Sequence, residues 1–136
     1  MQFAQLSDRV SGGGTGPLDL RALPGTWLNS NPDSTGIARI VISESGGNLS
    51  VQVVAIGPDR LIEWGTAPAN VFTSSPSSQV AAGFTCRYEF GFAETRLQGM
   101  IMKGLLVLAQ LHGFKDQSGR ADYFVREYFA LTHERY

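Results

Sequence analysis

The sequence predicts an all-β fold, a single up-and-down antiparallel barrel of eight strands. From residue 25 onward, apolar residues recur with a period of two, which is the period of a strand. Short segments rich in Gly, Pro, Asn and Asp separate these runs, and no stretch of helical period is long enough to compete. Strands with short connections form a meander, which removes its exposed edges by closing into a barrel.

The expected strands follow one another with short turns between them. The first starts at Gly25, after residues 17–23, which we expect to form a short helical turn. The others are expected over residues 37–42, 49–55, 60–66, 79–92, 97–103, 105–114 and 123–131. The 60–66 strand is expected to end near Pro68. The alternation is clearest in the fifth strand, whose apolar face is Val80, Ala82, Phe84, Cys86, Tyr88, Phe90 and Phe92.

The length of 136 residues suits one domain with a sizeable core. Residues 1–17, which include Ser-Gly-Gly-Gly-Thr-Gly, are expected to be a flexible lead-in, and residues 18–136 the barrel domain. Charged residues make up 17% of the chain and the net charge is −1, so no basic surface is expected to bind nucleic acid. With no signal-peptide pattern and no long apolar run, we expect a cytoplasmic protein that does not insert into membranes.

The sequence offers little for metal, cofactor or nucleophile chemistry. Cys86 is the only cysteine, so no internal disulfide can form, and we expect a buried thiol that acts as a small apolar residue. The only histidines are His112 and His133, so one chain cannot assemble a closed metal site of N and S ligands. Residues 12–16 are glycine-rich but lack the Gly-Lys-Ser/Thr ending of a phosphate loop. No cofactor is predicted.

His112 and Glu63 are the candidate acids or bases. His112 is either an ordinary histidine near the end of a strand or a group at the mouth of a cavity, where its near-neutral pKa would suit proton transfer. Glu63 and Glu127 are either exposed on the barrel or turned inward, where an apolar interior would raise their pKa. Alternation alone does not decide which face of each strand points inward.

Aromatic residues are frequent in the second half of the chain, and most are expected in the core. Tyrosine is the exception, because its hydroxyl needs a partner when the ring is buried. We therefore predict a ligand cavity with Arg39 or Glu63 as its polar anchor. Its other expected lining residues are Trp64, Tyr88, Phe90, His112 and Tyr128.

The stretch Gly25-Thr26-Trp27 resembles the Gly-x-Trp entry to the first strand of the calycin superfamily, which includes lipocalins and avidins. The resemblance implies that Trp27 closes one end of the barrel and that Arg126, in "YFVREYF", lies over the indole as a cation–π partner. With only two tryptophans, the chain departs from avidin, and biotin binding is not expected.

The chain also resembles small bacterial lipocalin-like proteins, mostly of unassigned function. These share the patterns W-x-N…T-x-G-I-x-R-I, D-W-G and F-x-D-x-S-G-R-x-x-Y. The counterparts here are Trp27 and Asn29, residues 35–40, Glu63-Trp64-Gly65, and residues 114–123, with Glu63 in place of the Asp.

The sequence thus leaves three functions open. The first is the binding of a small, largely apolar molecule inside the barrel. The second is a cofactor-free isomerase or cyclase that acts on a hydrophobic natural-product intermediate, with His112 or Glu63 as acid or base. The third is a filled barrel that acts through its surface on other proteins. A homodimer is also expected if the fifth strand is apolar on both sides of the wall.

Overall fold

The computed structural model describes residues 18–132 and shows one closed antiparallel barrel. The predicted lead-in and His133 lie outside the described residues. The strands are β1 (Gly25–Asn29), β2 (Ile37–Ser45), β3 (Asn48–Ile56), β4 (Leu61–Thr73), β5 (Ala81–Glu89), β6 (Ala93–Met102), β7 (Leu105–Phe114) and β8 (Tyr123–Thr132).

Each strand pairs with the next along the chain, and β1 pairs with β8 to close the barrel. The predicted fold class is therefore confirmed. Residues 18–132 contain no helix of a length and hydropathy that could span a membrane. The helical turn expected over residues 17–23 is not found in the described residues 18–23, which instead form a turn closed by a hydrogen bond from Leu23 N to Leu20 O.

β4 is longer than predicted and runs past Pro68 to Thr73. Its first part pairs with β3 up to Ala69, and from Asn70 it pairs with β5. Pro68 lies in the part that pairs only with β3, so the strand passes through proline where it has a neighbour on one side. The predicted end at Pro68 is wrong because proline is compatible with such an edge position.

The predicted alternation of β5 is confirmed in the middle of the strand. Phe84, Cys86 and Tyr88 are buried, whereas Val80 and Phe92, both about half exposed, lie beyond its ends. Burial raises the pKa of the Cys86 thiol to about 12. This value keeps the thiol protonated and unreactive near neutral pH, as expected for a small apolar core residue.

The middle of the barrel is filled by a single apolar core. Its largest fully buried side chains include Phe84 and Phe129, whose rings lie among aliphatic residues from neighbouring strands. Fully buried aliphatic residues of the strands include Ile37, Ile40, Ile42, Val51, Val53, Leu97, Leu106 and Leu108. Gly99 faces this core because a Cβ there would come within 2.4 Å of the Phe84 ring. An eight-stranded barrel is narrow enough for side chains to fill it in this way.

Residues 18–24 cross one end of the barrel, which we call the capped end. Asp19 forms a parallel bridge with Val80, and its backbone is bonded to Gln79 O and Ala81 N. Under this segment, Trp27 is 2% exposed and donates its indole N–H to Leu23 O at 2.9 Å. Leu23 is itself fully buried.

Candidate functional site

The opposite end of the barrel, which we call the aromatic end, is surrounded by the loops at residues 30–36, 57–60, 90–92 and 115–122. Trp64 begins a chain of rings there. Its indole meets Tyr88 edge-on with centroids 5.4 Å apart, and Phe90 edge-on at 5.0 Å. Phe90 continues to Phe92 at 6.4 Å. These separations fall in the range that favours aromatic pairs.

Arg120 links this group to a second set of rings. Its guanidinium carbon lies 5.8 Å from the centroid of Phe92 and 4.1 Å from that of Phe114. Phe114 stacks on Tyr123 at 6.1 Å, and Tyr123 stacks on His112 at 4.5 Å. The two sets form one continuous arc from β4 to β8, which we call the aromatic arc.

The loop between β7 and β8 holds Arg120 in place through its own side chains. Asp116 pairs with Arg120 at 2.6 Å and accepts a hydrogen bond from the Ser118 backbone at 3.1 Å. Ser118 in turn accepts a bond from Arg120 Nε at 2.9 Å. Gly119 has a φ of 80°, which favours glycine. The pattern F-x-D-x-S-G-R-x-x-Y is therefore a loop that positions one cation between two phenyl rings.

His112 is fixed at the end of the arc by a buried partner. Its Nδ1 lies 2.8 Å from the hydroxyl of Thr95, which is 2% exposed. Burial lowers the pKa of His112, so the ring is neutral at neutral pH. Beside it is a surface hollow of about 400 Å³ lined by Glu94, Arg96, Leu111, His112, Gly113, Asp122, Tyr123 and Phe124. Stacking on Tyr123 and the bond to Thr95 orient this imidazole toward the rim.

Tyr88 anchors the other half of the arc to the wall. It is 6% exposed, and its hydroxyl lies 3.0 Å from Val51 O and 2.9 Å from Gly65 O. Gly65 has a φ of 87° and forms part of an irregularity in β4. Burial, together with the nearby Cys86 thiol, raises the pKa of Tyr88. Tyr88 is thus a neutral hydroxyl that holds the backbone of β3 and β4 beneath Trp64.

Of the two carboxylates that could face the interior, Glu63 and Glu127, only Glu127 points inward. It sits opposite the fully buried Leu108 and accepts bonds from Gln110 at 2.9 Å, Asn29 at 3.0 Å and Ser34 at 2.5 Å. Burial would raise the pKa of Glu127, but these bonds outweigh it and the pKa is lowered. Glu127 is therefore ionised and ties the 30–36 loop to β8.

The structure brings together only some of the predicted site residues. Trp64, Tyr88 and Phe90 form one cluster, and His112 belongs to the same arc. Glu63 is exposed on β4 beside Gln52, so it does not join His112. It is not an interior acid because its neighbour Trp64 takes the inward position.

Arg39, Tyr128 and Arg126 require corrections as well. Arg39 pairs with Leu28 on the outer face, whereas the next residue, Ile40, is fully buried. Tyr128 is 45% exposed, between the inward residues Glu127 and Phe129.

Arg126 precedes the inward residue Glu127, so its side chain points outward, and it lines a hollow on the outside of the barrel. The expected contact with Trp27 is therefore not made, because strand parity puts the two side chains on opposite faces.

Sequence reasoning missed Thr95, Gln110 and Arg120 as residues of this end. Thr95 and Gln110 are each 2% exposed and polar, and they interrupt otherwise apolar faces. That interruption was a usable signal for an internal polar contact. Arg120 belongs to the motif F-x-D-x-S-G-R-x-x-Y. Its ring partners, Phe92 and Phe114, come from two different hairpins, and the sequence does not show how these hairpins are placed.

No family model, curated protein or solved structure matches the chain. The closed eight-stranded barrel is compatible with a calycin-like fold, and membership of that superfamily stays a prediction. Within residues 18–132, no group of three or more His, Cys, Asp or Glu side chains lies close enough together to hold a metal ion.

Proposed function

We propose that the protein binds a small, largely apolar molecule that contains a flat ring, and that it does so at the aromatic end. The observation that supports this most directly is the aromatic arc, in which Phe92 and Tyr123 remain 51% and 49% exposed. Half-exposed rings held at fixed angles are suited to stack on another ring. Polar side chains such as His112, Asp122 and Arg120 lie among these rings and could orient a bound molecule.

The packing of the barrel favours the rim over its interior as the place of binding. Phe84, Phe129 and the aliphatic residues around them leave the middle filled. The 400 Å³ hollow lies where His112 and Tyr123 of the arc meet outward residues such as Phe124, and its volume is within the range of small-ligand sites. We infer that the ligand lies across the aromatic end and not deep inside the barrel, where the sequence predicted it.

A matched pair of substitutions tests this location. Phe92 and Phe72 are exposed to nearly the same extent, 51% and 53%, but Phe72 lies on the outer wall and away from the arc. With the dye ANS as probe, Phe92→Ala is expected to weaken binding by about 3-fold to 10-fold, the worth of one lost aromatic contact. Phe72→Ala is expected to leave the affinity unchanged. The reverse ranking would place the dye on the outer wall and count against this proposal.

Native mass spectrometry of the protein purified from its own source would identify the ligand class. Extra mass that is released on denaturation is expected to belong to a compound with an aromatic or conjugated ring. A saturated, strongly charged compound in that position would contradict the proposed chemistry.

A second candidate function is cofactor-free acid–base catalysis by His112 on such a molecule. It is favoured by the Thr95 contact, which orients the imidazole, and by the lowered pKa, which leaves a neutral base at the edge of the hollow. For a molecule that the protein converts, His112→Gln should abolish turnover while affinity changes little. Glu63→Gln, which alters an exposed carboxylate elsewhere, should retain full turnover. Equal losses of affinity and turnover in His112→Gln would indicate binding alone.

A further inference from the structure

The outer surface of the barrel carries an apolar face that is independent of the aromatic arc. The strand registers place five residues in one row across β4 to β8. In order, they are Phe72, Gly83, Met100, Val107 and Tyr128. We call this row, with its outward neighbours Met102, Leu105, Phe124 and Arg126, the apolar wall.

The apolar wall has projecting side chains and, between them, a hollow. Phe72, Met100 and Phe124 are each 50–56% exposed and project from it. Between them is a depression of about 480 Å³, where small residues such as Gly83 and Ala109 form the floor. Gly83 keeps this floor low, because the backbone there does not accommodate a larger residue: a Cβ at Gly83 would lie 2.5 Å from Gly99 O. A surface with projecting rings beside a recess can fit a rotated copy of itself.

The composition of the wall is that of the centre of a protein interface. Interface centres are enriched in aromatic residues, Met and Arg, and depleted in Lys, Asp and Glu. The residues that line the hollow include Phe72, Phe124, two methionines and Arg126, and none is Lys, Asp or Glu.

The exposed apolar area of the wall is that of the centre of a standard interface. A Phe or Tyr side chain has about 150–250 Å² to bury, so the three half-exposed rings Phe72, Phe124 and Tyr128 offer roughly 300 Å². Met100, Met102 and Leu105, which are 37–52% exposed, raise this to the upper range of patches on monomers. A standard interface buries approximately 800 Å² per partner, so in a dimer the wall supplies the apolar centre and the polar residues around it supply the rim.

Arg126 stands in this wall without a charged partner among residues 18–132. An arginine on an apolar surface is stabilised when its guanidinium stacks on an aromatic ring. A second copy of the chain supplies such rings from the same wall, and a two-fold axis provides the contact twice. Arg126 and the rings thus make the wall complementary to itself in chemistry as well as in shape.

We propose that two copies of this chain associate through the apolar wall as a two-fold symmetric dimer. The proposal does not depend on the ligand site, because the rings of the aromatic arc lie at the end of the barrel and only Phe124 lines both the wall and the hollow beside His112.

Sedimentation equilibrium of the full chain tests the association. Over about 1–100 μM, the mass is expected to rise toward twice that of the chain. Met100→Glu, which places a charge in the centre of the wall, is expected to leave a monomer at all these concentrations. Leu61→Glu is the matched control, since Leu61 is equally exposed at 51% but lies outside the wall. It is expected to dimerise like the unmodified chain.

A second variant keeps the test informative if Met100→Glu fails to fold. Val107→Cys introduces the only accessible thiol near the proposed axis, because Cys86 is buried. Oxidation is expected to yield a disulfide-linked dimer that keeps the thermal unfolding midpoint. A monomeric unmodified chain at about 100 μM would overturn the proposal. So would a dimer that persists in Met100→Glu, or a monomer with an alkyl compound bound on the wall.

Discussion

The two ends of the barrel show how one set of strands serves two purposes. At the capped end, Trp27 and Leu23 are fully enclosed, and the indole N–H is satisfied by a backbone carbonyl. At the aromatic end, the rings of Phe92 and Tyr123 stay half exposed, and charged and polar groups hold the loops around them. The capped end therefore contributes mainly to stability, while the aromatic end combines loop anchoring with exposed rings.

The largest effect is expected from Trp27→Ala at the capped end. Removing a fully buried indole creates a cavity under residues 18–24 and should lower the free energy of unfolding by about 3–5 kcal/mol. Urea unfolding measures this loss. At the other end, Trp64→Phe keeps a ring in a partly exposed site and should cost less than about 1.5 kcal/mol. Similar losses in the two variants would remove the distinction between the ends.

Glu127→Gln is expected to have the next largest effect. The amide cannot accept from Asn29, Ser34 and Gln110 as the carboxylate does, so unfolding should become easier by about 1–3 kcal/mol at pH 7. The control Glu63→Gln alters an exposed carboxylate and should stay within about 0.5 kcal/mol of the unmodified chain.

The sign of the pH dependence of Glu127 follows from its lowered pKa. Its contribution is present above the ordinary pKa of an unfolded carboxyl and is lost as the pH falls through the lower pKa of the folded state. Glu127→Gln should therefore differ from the unmodified chain at neutral pH and approach it in acid. A difference that grows in acid would contradict this assignment.

Arg120→Ala should have a smaller effect, because the loop that holds it is exposed. Loss of its contact with Phe114 is expected to cost about 0.5–1 kcal/mol in urea unfolding. Hydrogen exchange should also become faster in residues 115–122. Arg96→Ala serves as the control, because Arg96 is exposed and pairs with Glu94, and no cation–π contact is found for it within residues 18–132. Unchanged exchange in Arg120→Ala would show that the loop does not depend on the cation.

The smallest effect is expected from the titration of His112. Its pKa is lowered in the folded chain, so the unfolded chain binds the extra proton first as the pH falls below about 6.5. Stability should therefore decrease in this pH range until the folded histidine is also protonated. His112→Asn should remove that slope while leaving the slope due to Glu127. A slope that persists unchanged would assign it to other groups.

The strands were predictable because period-two alternation depends on local sequence alone. β7 was predicted with its observed bounds, and the inward positions Phe84, Cys86 and Tyr88 of β5 followed from parity. Alternation did not predict the inward face of β8, because "YFVREYF" has large residues on both faces. Only the pairing of β8 with β7 shows that Glu127 faces inward and that Arg126 and Tyr128 face outward.

The aromatic arc was harder to predict because it is assembled from several hairpins. His112 and Tyr123 are direct cross-strand neighbours, yet they flank a loop whose length hides that register. Trp64 lies in the part of β4 that pairs with β3, and Phe90 follows the end of β5, so their contact does not follow from the pairing of β4 with β5. The residue types therefore predicted a binding site lined by aromatic rings. Which rings share that site depends on long-range strand pairing.

The closing seam between β1 and β8 has a consequence for how the chain is made. Asn29 and Glu127 are 98 positions apart, and the whole β1–β8 ladder joins the two extremes of the barrel sequence. During synthesis on the ribosome, the edges of β1 and of the newest strand stay unpaired until β8 has emerged. Such edges can pair with other chains. A nascent chain cut before Glu127 would thus be a candidate for aggregation and for chaperone capture, although most of its strands are already complete.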